Sequence, residues 1–516
     1  MFAKFFKPSV EKRASVLLTI TTLISYFIGL IRDRIIAVNF GATSQTDIYN
    51  ASFLIPDFLF NLFIAGALMA SFMPIFSDFL TKDPKRAHKI ANTILTYGSI
   101  FIVLLSVLAF IFTTQLIEML FPEFDGNTKL EIIKMTRIML PTAILFTISN
   151  SLGNILMSYK HFFSYAVSPI LYNLGIITGI LLFSEKFGIY SAAIGVIAGA
   201  ILHCIIRIID TMNTPYKYYF KTDIKDEGFK KIIKLMIPRT ISLISWQINL
   251  YIFALIGIQM MEGSLASFNF ARNIQSIAVS LFGVALSTAA YPYLTEFAAS
   301  NDKISYTKNI QNSIQKILFF TIPSMIGVIF LTKPIIEIIL SGGKFDSNSV
   351  NITALILFFF AFSIPFESMT HILSRAFYAL KNTKTPMYVN LTGMVIIGLI
   401  TFYIAPKYGV KWFSIGFSIG MITQVILLII LLKKHLAGFN LKKFSLSFMK
   451  IILSSGIMGS FIILSSNLTL GIPNKIYYTM QIIIAAIIYF ICAHILKSEE
   501  ISGLKTIFAK FQKTNQ

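Results

Sequence analysis

The stretch ALMASFMPIFSDF at residues 67–79 decides the fold, because it returns as ALSTAAYPYLTEF at residues 285–297, an offset of 218 residues. Alanine, leucine, proline, an acid and phenylalanine occupy matching positions. A second pair, Pro169-x-x-x-Asn173-Leu174 and Pro386-x-x-x-Asn390-Leu391, is offset by 217 residues. Two independent matches at nearly one offset predict that the chain contains a duplicated unit.

The composition places this duplicated chain in a lipid bilayer. Of 516 residues, 55% are hydrophobic and only 13% are charged, with 44 Lys and Arg against 23 Asp and Glu. Soluble domains carry about a quarter charged residues, so soluble enzymes and disordered chains are excluded. The basic residues punctuate apolar runs and do not form one soluble face, which argues against nucleic-acid binding.

Spanning helices need about 20 mostly apolar residues, and the chain offers fourteen such runs. They lie near 14–31, 48–76, 90–120, 132–157, 163–183, 188–209, 232–261, 264–298, 310–331, 349–379, 386–405, 411–432, 448–466 and 474–496. We therefore expect an all-α, polytopic membrane protein with about 14 transmembrane helices: two pseudo-symmetric six-helix lobes, 1–221 and 222–440, followed by two extra helices and a tail, 441–516. An even number of spans per repeat gives both lobes the same orientation, with a substrate cleft expected where they meet.

Lysine and arginine positions predict the orientation. With a cytoplasmic N-terminus, 31 of the 44 basic residues fall on the cytoplasmic side and 11 on the outer side, while Arg239 and Arg272 fall inside spans. Positive charge favours the cytoplasmic side of membrane proteins. Both termini are therefore predicted to be cytoplasmic.

Ionisable residues within spans are the first candidates for a binding site, because charge inside a membrane is costly and usually functional. Arg272 has no acid within four residues on its own helix. Arg32, Asp33 and Arg34 close the first span and cannot share one helical face, so we expect Asp33 to pair with one arginine. Arginines gathered in a cavity favour phosphate, because the planar guanidinium forms paired hydrogen bonds to it. The alternatives are a structural ion pair for Arg272 and an outer-surface anchor for Arg34.

Three further residues complete the set of candidates. Asp47 enters the second span after a turn-like segment and is either a helix N-cap or a partner of the arginine cluster. Arg239 follows Pro238 and is a candidate either for the inner mouth of the cleft or for the membrane interface. Glu367 follows Pro365 inside a span, where a carboxylate is either paired or protonated.

No enzyme, metal or cofactor site is predicted. The six histidines lack metal-ligand spacing, and SGGK at residues 341–344 lacks the remaining residues of a phosphate-binding loop. The longest predicted segment between spans, 210–231, is too short for a catalytic domain.

Several motifs resemble the MurJ (MviN) family of lipid II flippases. They are GLIRD at 29–33, FGA at 40–42, Thr46-Asp47, Ile55-Pro56, AGA at 65–67, FMPIF at 72–76, FAR at 270–272, GVAL at 283–286 with Pro292, SRAFYALK at 374–381 and TKTP at 383–386. The resemblance implies the MATE-like fold of the MOP superfamily and movement of the undecaprenyl-diphosphate-linked peptidoglycan precursor across the bacterial cytoplasmic membrane. It also implies that Arg32, Asp33, Arg272 and Asp47 belong to the binding site, that the last two spans hold the lipid tail, and that the partners are lipid II, membrane lipid and the cell-wall synthesis machinery.

The chain departs from the family pattern at positions where many members carry arginine. Here these positions hold Tyr26, Phe60 and Asn61, and IAG at residues 64–66 stands where many members carry AEG. These departures leave open a flippase for another undecaprenyl-linked oligosaccharide. A cation-coupled drug exporter is a second alternative, although the predicted cleft is net positive, and a non-transporting scaffold is a third.

Overall fold

The computed structural model describes the backbone of residues 10–63, 67–466 and 473–501, and the side chains of these residues except 10–19, 62–71, 74 and 237–245. The described chain is helical throughout and holds no β-strand. Packing divides it into two units. The N-terminal unit contains residues 7–266 and 342–345, and the C-terminal unit contains residues 267–341 and 346–516.

Helices of the N-terminal unit coincide with the first seven predicted spans. They are α1 (Val10–Phe40), α2 (Ser44–Ser52), α3 (Leu54–Phe63), α4 (Ala67–Lys82), α5 (Pro84–Ile111), α6 (Thr113–Leu120), α7 (Gly126–Met139), α8 (Pro141–Ser158), α9 (Phe163–Phe187), α10 (Tyr190–Met212) and α11 (Glu227–Gln259).

Helices of the C-terminal unit coincide with the remaining predicted spans. They are α12 (Ser264–Ala278), α13 (Ala285–Ala299), α14 (Lys303–Ile339), α15 (Ser347–Ala361), α16 (Ser363–Ala379), α17 (Lys384–Tyr403), α18 (Ala405–Tyr408), α19 (Lys411–Leu432), α20 (Leu441–Ser466) and α21 (Asn474–Ile495). A π-helical turn, Val279–Val284, joins α12 to α13, and α12 begins within the N-terminal unit.

Among the described residues, ten helical segments are long and apolar enough to cross a membrane, or eleven if α15 and α16, bent by 44° at their junction, form one broken span. The prediction of an all-α multi-pass membrane protein is thus confirmed. The first, second and seventh predicted spans coincide with α1, with α2 to α4, and with α11. These helices contain residues whose side chains are not described, and the backbone of residues 64–66 is not described either.

Glycines set the closest helix contact in the N-terminal unit. A Cβ atom added to Gly175 of α9 would lie 2.3 Å from the Gly199 Cα of α10, and one added to Gly179 would lie 2.5 Å from the Gly195 Cα. Only glycine allows two backbones to approach this closely. In the C-terminal unit, Gly420 of α19 makes a similar approach to the Gly393 carbonyl of α17.

The seventh span packs with the N-terminal unit. Ile232 and Met236 of α11 are buried in an apolar cluster with Phe76 of α4 and Ile90 of α5. The predicted boundary between residues 221 and 222 follows the repeat, whereas packing places 222–266 with the preceding helices. The repeat-based division stays a prediction. Both members of each matched segment pair lie in helices, in α4 and α13 and in α9 and α17.

Candidate functional site

Arg32 and Asp33 form the charged centre of the N-terminal unit. The Arg32 guanidinium donates from Nε (3.0 Å) and Nη2 (2.7 Å) to one oxygen of Asp33, and from Nη1 to the Asn173 side-chain oxygen of α9 (2.9 Å). Asp33 is the acid that pairs with an arginine in the cluster, as the sequence predicts. The side chain of Asp33 is 6% exposed and that of Arg32 is 23% exposed.

Asn173 is held in the orientation that Arg32 requires. Its amide nitrogen donates to the Pro169 carbonyl one turn earlier in α9 (3.1 Å), so that the amide oxygen faces Arg32. The described contacts use three of the five N–H donors of the guanidinium. The remaining two can bind an anion in the geometry that a phosphate prefers.

Asp47 caps a helix that is distant in sequence. Its two carboxylate oxygens accept hydrogen bonds from the backbone N–H groups of Ala266 (2.7 Å) and Gly263 (2.8 Å), at the start of α12. In return, Glu262 accepts from the backbone N–H of Ser44, at the start of α2 (3.0 Å). Asp47 thus stabilises the free N–H groups of α12. Of the two alternatives for Asp47, the structure shows helix capping, of α12 and not of its own helix, and its described hydrogen bonds include none to the arginine cluster.

Arg272 belongs to a looser centre in the C-terminal unit. Its Nη2 atom lies 3.8 Å from a Glu367 oxygen of α16, and its guanidinium lies over the Phe417 ring of α19, 4.4 Å from the ring centroid. The other Glu367 oxygen accepts from Gln275 Nε2 (2.8 Å). An aromatic face stabilises a cation without neutralising its charge.

Arg34 and Arg239 complete the predicted set. Arg34 is half-buried on α1, on a different helical face from Arg32. Arg239 lies in α11, within the stretch 237–245 whose side chains are outside the described residues. A binding role for either residue stays a prediction.

Buried polar residues that the sequence reasoning did not select organise both centres. Asn173, Gln275 and Ser363 were missed, although the repeat had already marked Asn173. Arg207 of α10 was counted among the cytoplasmic cations, but it is 2% exposed. It donates to Ser168 and Asn150 (3.1 and 2.9 Å) and lies over the Tyr165 ring. It therefore connects α8, α9 and α10 from inside the unit.

Among the described residues, no group of three or more His, Cys, Asp or Glu side chains could hold a metal ion. The two charged centres instead present guanidinium groups backed by amides and by a carboxylate. This chemistry suits the recognition of an anionic group such as phosphate.

The helical arrangement is similar to that of solved transporters of the MOP superfamily. A multidrug resistance MATE family transporter of that superfamily, solved in an inward-facing conformation, superposes with a TM-score of 0.66 at 14% identity, covering 82% of this chain and 97% of the other. At this identity the similarity shows the fold alone.

Sequence identifies the family within that fold. The family described as lipid II flippase MurJ matches residues 36–481, and the chain belongs to this family. The lipid II flippase MurJ of Thermosipho africanus is 30% identical over 482 residues, which cover 93% of this chain and 96% of the relative. The probable lipid II flippase MurJ of Rickettsia prowazekii is 30% identical over 74% of this chain and 76% of its own length. A solved lipid II flippase MurJ in an inward closed conformation superposes with a TM-score of 0.81 at 29% identity, covering 94% of this chain and 100% of the other.

Proposed function

We propose that this protein moves lipid II, the undecaprenyl-diphosphate-linked peptidoglycan precursor, from the inner to the outer leaflet of the bacterial cytoplasmic membrane by alternating access. The observation that carries the proposal is the match over nearly the whole chain, in sequence and in fold, to relatives described as lipid II flippases. The protein acts as a transporter and not as an enzyme, with both termini in the cytoplasm.

Arginine supplies the recognition chemistry of the proposal. Arg32 and Arg272 bind the diphosphate, because both are guanidinium groups in apolar helices, Arg32 at the end of the first predicted span and Arg272 within the eighth. A charge-assisted hydrogen bond contributes about 1.5–3 kcal/mol, which is enough for recognition and weak enough for release. Asp33 orients Arg32, and Asp47 supports the binding region by fixing the start of α12.

Helices α20 and α21 are the proposed site for the lipid tail. Large apolar side chains are exposed along both helices, among them Leu453 (50%), Leu464 (75%) and Ile483 (55%). A polyprenyl chain cannot enter a polar site without a large free-energy cost, so it needs an apolar surface that is open to the bilayer. The cell-wall synthesis machinery is the proposed source and destination of the lipid.

The test is the leaflet accessibility of lipid II in cells depleted of their flippase and complemented with this chain. Wild-type protein should restore the appearance of lipid II in the outer leaflet. Arg272→Ala should not restore it, while accumulating in the membrane at normal levels. Lys407→Ala is the matched control, because Lys407 is an exposed cation of the same unit. Failure of the wild-type chain, with transport of another undecaprenyl-linked sugar instead, would contradict the proposed substrate.

A further inference from the structure

Glu367 is a carboxylate inside a membrane-spanning segment. It lies on α16, one turn after the 44° bend that separates this helix from α15. The helix continues for about 12 residues beyond Glu367, roughly 18 Å at ~1.5 Å per residue. This distance places the carboxylate deep in the segment, and a charge at such depth is rarely retained without a function.

The ion pair between Glu367 and Arg272 is long. Its N–O distance of 3.8 Å contrasts with 2.7 Å for the pair between Arg32 and Asp33. The Glu367 and Arg272 side chains are 16% and 22% exposed, so water and a ligand can reach both. A loose pair can exchange one of its partners more readily than a tight pair.

Gln275 can stabilise Glu367 in both of its protonation states. Its amide nitrogen donates to Glu367 (2.8 Å) and to the Ser363 hydroxyl (2.9 Å). Its amide oxygen is buried and has no hydrogen-bond donor among the described residues. A rotated amide would offer that oxygen to the O–H of a protonated Glu367. An amide carries both donors and an acceptor, so one residue can serve both the carboxylate and the carboxylic acid.

We propose that Glu367 binds a proton during transport and that this proton frees Arg272 to bind the anionic head group. The inference deepens the proposed function and rests on it. A hydronium ion in the accessible water gives its proton to the Glu367 carboxylate: one hydronium O–H bond breaks, an O–H bond to Glu367 forms, and a water molecule leaves. The pair thereby changes from neutral to a single positive charge. The head-group phosphates then become the preferred partner of Arg272.

The titratable groups around Glu367 are consistent with a proton site centred on this residue. On α16 itself, His371 follows one turn later, and Arg375 donates to the Val284 carbonyl at the end of the π-helical turn (3.2 Å). From neighbouring helices, Tyr291 of α13 lies near Arg375, and the Tyr306 hydroxyl of α14 donates to the Ala376 carbonyl.

The other helices packed on α16 carry few charged residues, and α14 carries one half-buried acid, Glu337, near its end. The lysines of α14 are exposed. Helices α17 and α19 carry a single charged residue each, Lys384 and Lys411, which is their first residue, and α15 carries none. Arg272 is thus the cation that a change of charge at Glu367 affects most directly.

The test measures binding of a short-chain, farnesyl-linked lipid II to the full-length protein in detergent, between about pH 5.5 and about pH 8.5. Wild-type affinity should be about tenfold weaker at the upper limit. In weakly buffered solution near the midpoint, wild-type protein should take up protons on binding, because linkage between proton and ligand is reciprocal. Glu367→Gln should bind as tightly as wild type at low pH, with a flat pH profile and no proton uptake.

Controls separate this inference from the proposed function. Glu296→Gln alters an exposed acid of the same unit and should reproduce the wild-type profile. If Glu367→Gln does not fold, Gln275→Met provides the second variant. It removes the amide that serves both protonation states of Glu367 and should therefore change the pH profile of binding, whereas a profile identical to that of wild type would contradict the inference. Wild-type binding with a flat profile and no proton uptake would overturn the inference and leave the flippase proposal standing. Absence of wild-type binding would overturn both.

Discussion

The two arginine centres hold a guanidinium group in different ways. In the N-terminal unit, Arg32 is fixed by Asp33 at 2.7 Å and by an amide at 2.9 Å, and that amide is itself held in place by a backbone carbonyl. In the C-terminal unit, Arg272 lies over an aromatic ring, with its carboxylate at 3.8 Å. The first centre is a preorganised cation and the second is an exchangeable one. A transporter that must both bind and release one anion can use both kinds.

Truncating each arginine gives the largest expected contrast between the centres. Arg32→Ala and Arg272→Ala should each weaken head-group binding by about 10- to 100-fold, the equivalent of one lost charge-assisted contact. Arg32→Ala should also lower the free energy of unfolding by about 1–3 kcal/mol, because Asp33 loses its cation while remaining buried. Arg272→Ala should lower it less, since Gln275 still donates to Glu367. Thermal unfolding in detergent, beside ligand titration, measures both effects, and equal destabilisation by the two variants would contradict the distinction.

Lysine substitutions test the geometry more finely. Arg32→Lys loses the planar group that reaches Asp33 and Asn173 together, and should weaken binding by about tenfold. Arg272→Lys keeps a cation that can lie over Phe417 and pair with Glu367, and should weaken binding by about threefold or less. Titration of both variants with the same lipid measures the difference. A greater loss for Arg272→Lys would show that Arg272 is the centre that depends on fixed geometry.

The two units can also be compared by how much a helix cap in each contributes to stability. Asp47→Ala removes two buried acceptors from the start of α12 and should lower the free energy of unfolding by about 1–2 kcal/mol. Asp302→Ala removes an exposed cap from the Ser305 N–H of α14 (2.9 Å) and should lower the free energy of unfolding less. Asp47→Asn keeps one acceptor oxygen, so its loss of stability should fall between those of Asp47→Ala and Asp302→Ala. Chemical denaturation in detergent distinguishes the three variants, and an unchanged stability for Asp47→Ala would refute its capping role.

The smallest expected effect is a loss of thermal stability at low pH, which involves an aspartate outside the membrane-spanning helices. The hydrogen bond from Lys89 (2.8 Å), supported by the Lys225 backbone N–H, holds the pKa of Asp223 below its usual range. A depressed folded-state pKa stabilises the fold above the unfolded pKa of about 3.9, and this contribution is lost as the pH falls through the folded value. Asp223→Asn should therefore reduce the loss of thermal stability between about pH 6 and about pH 3. An identical loss in the variant would show that the ion pair with Lys89 does not contribute.

Much of the architecture could be predicted from the sequence, because runs of apolar residues report directly on helices in a membrane. The partners of the arginines were harder to predict. Asn173 lies 141 residues from Arg32 and Gln275 lies 92 residues from Glu367. Their pairing depends on which helices pack together, and a lone amide in an apolar run has the same pattern whether it joins helices or orients a charge.

The contact between α9 and α10 has a mechanical consequence. Backbone lies directly on backbone at Gly175 and Gly199, with no side chain between them that could change rotamer. The two helices must therefore move together as one rigid unit. Since α9 carries Asn173, any tilt of this helix pair shifts the oxygen that faces Arg32. A bulky residue at Gly195 or Gly199 of α10 should therefore disturb lipid binding, although α10 itself does not carry Asn173.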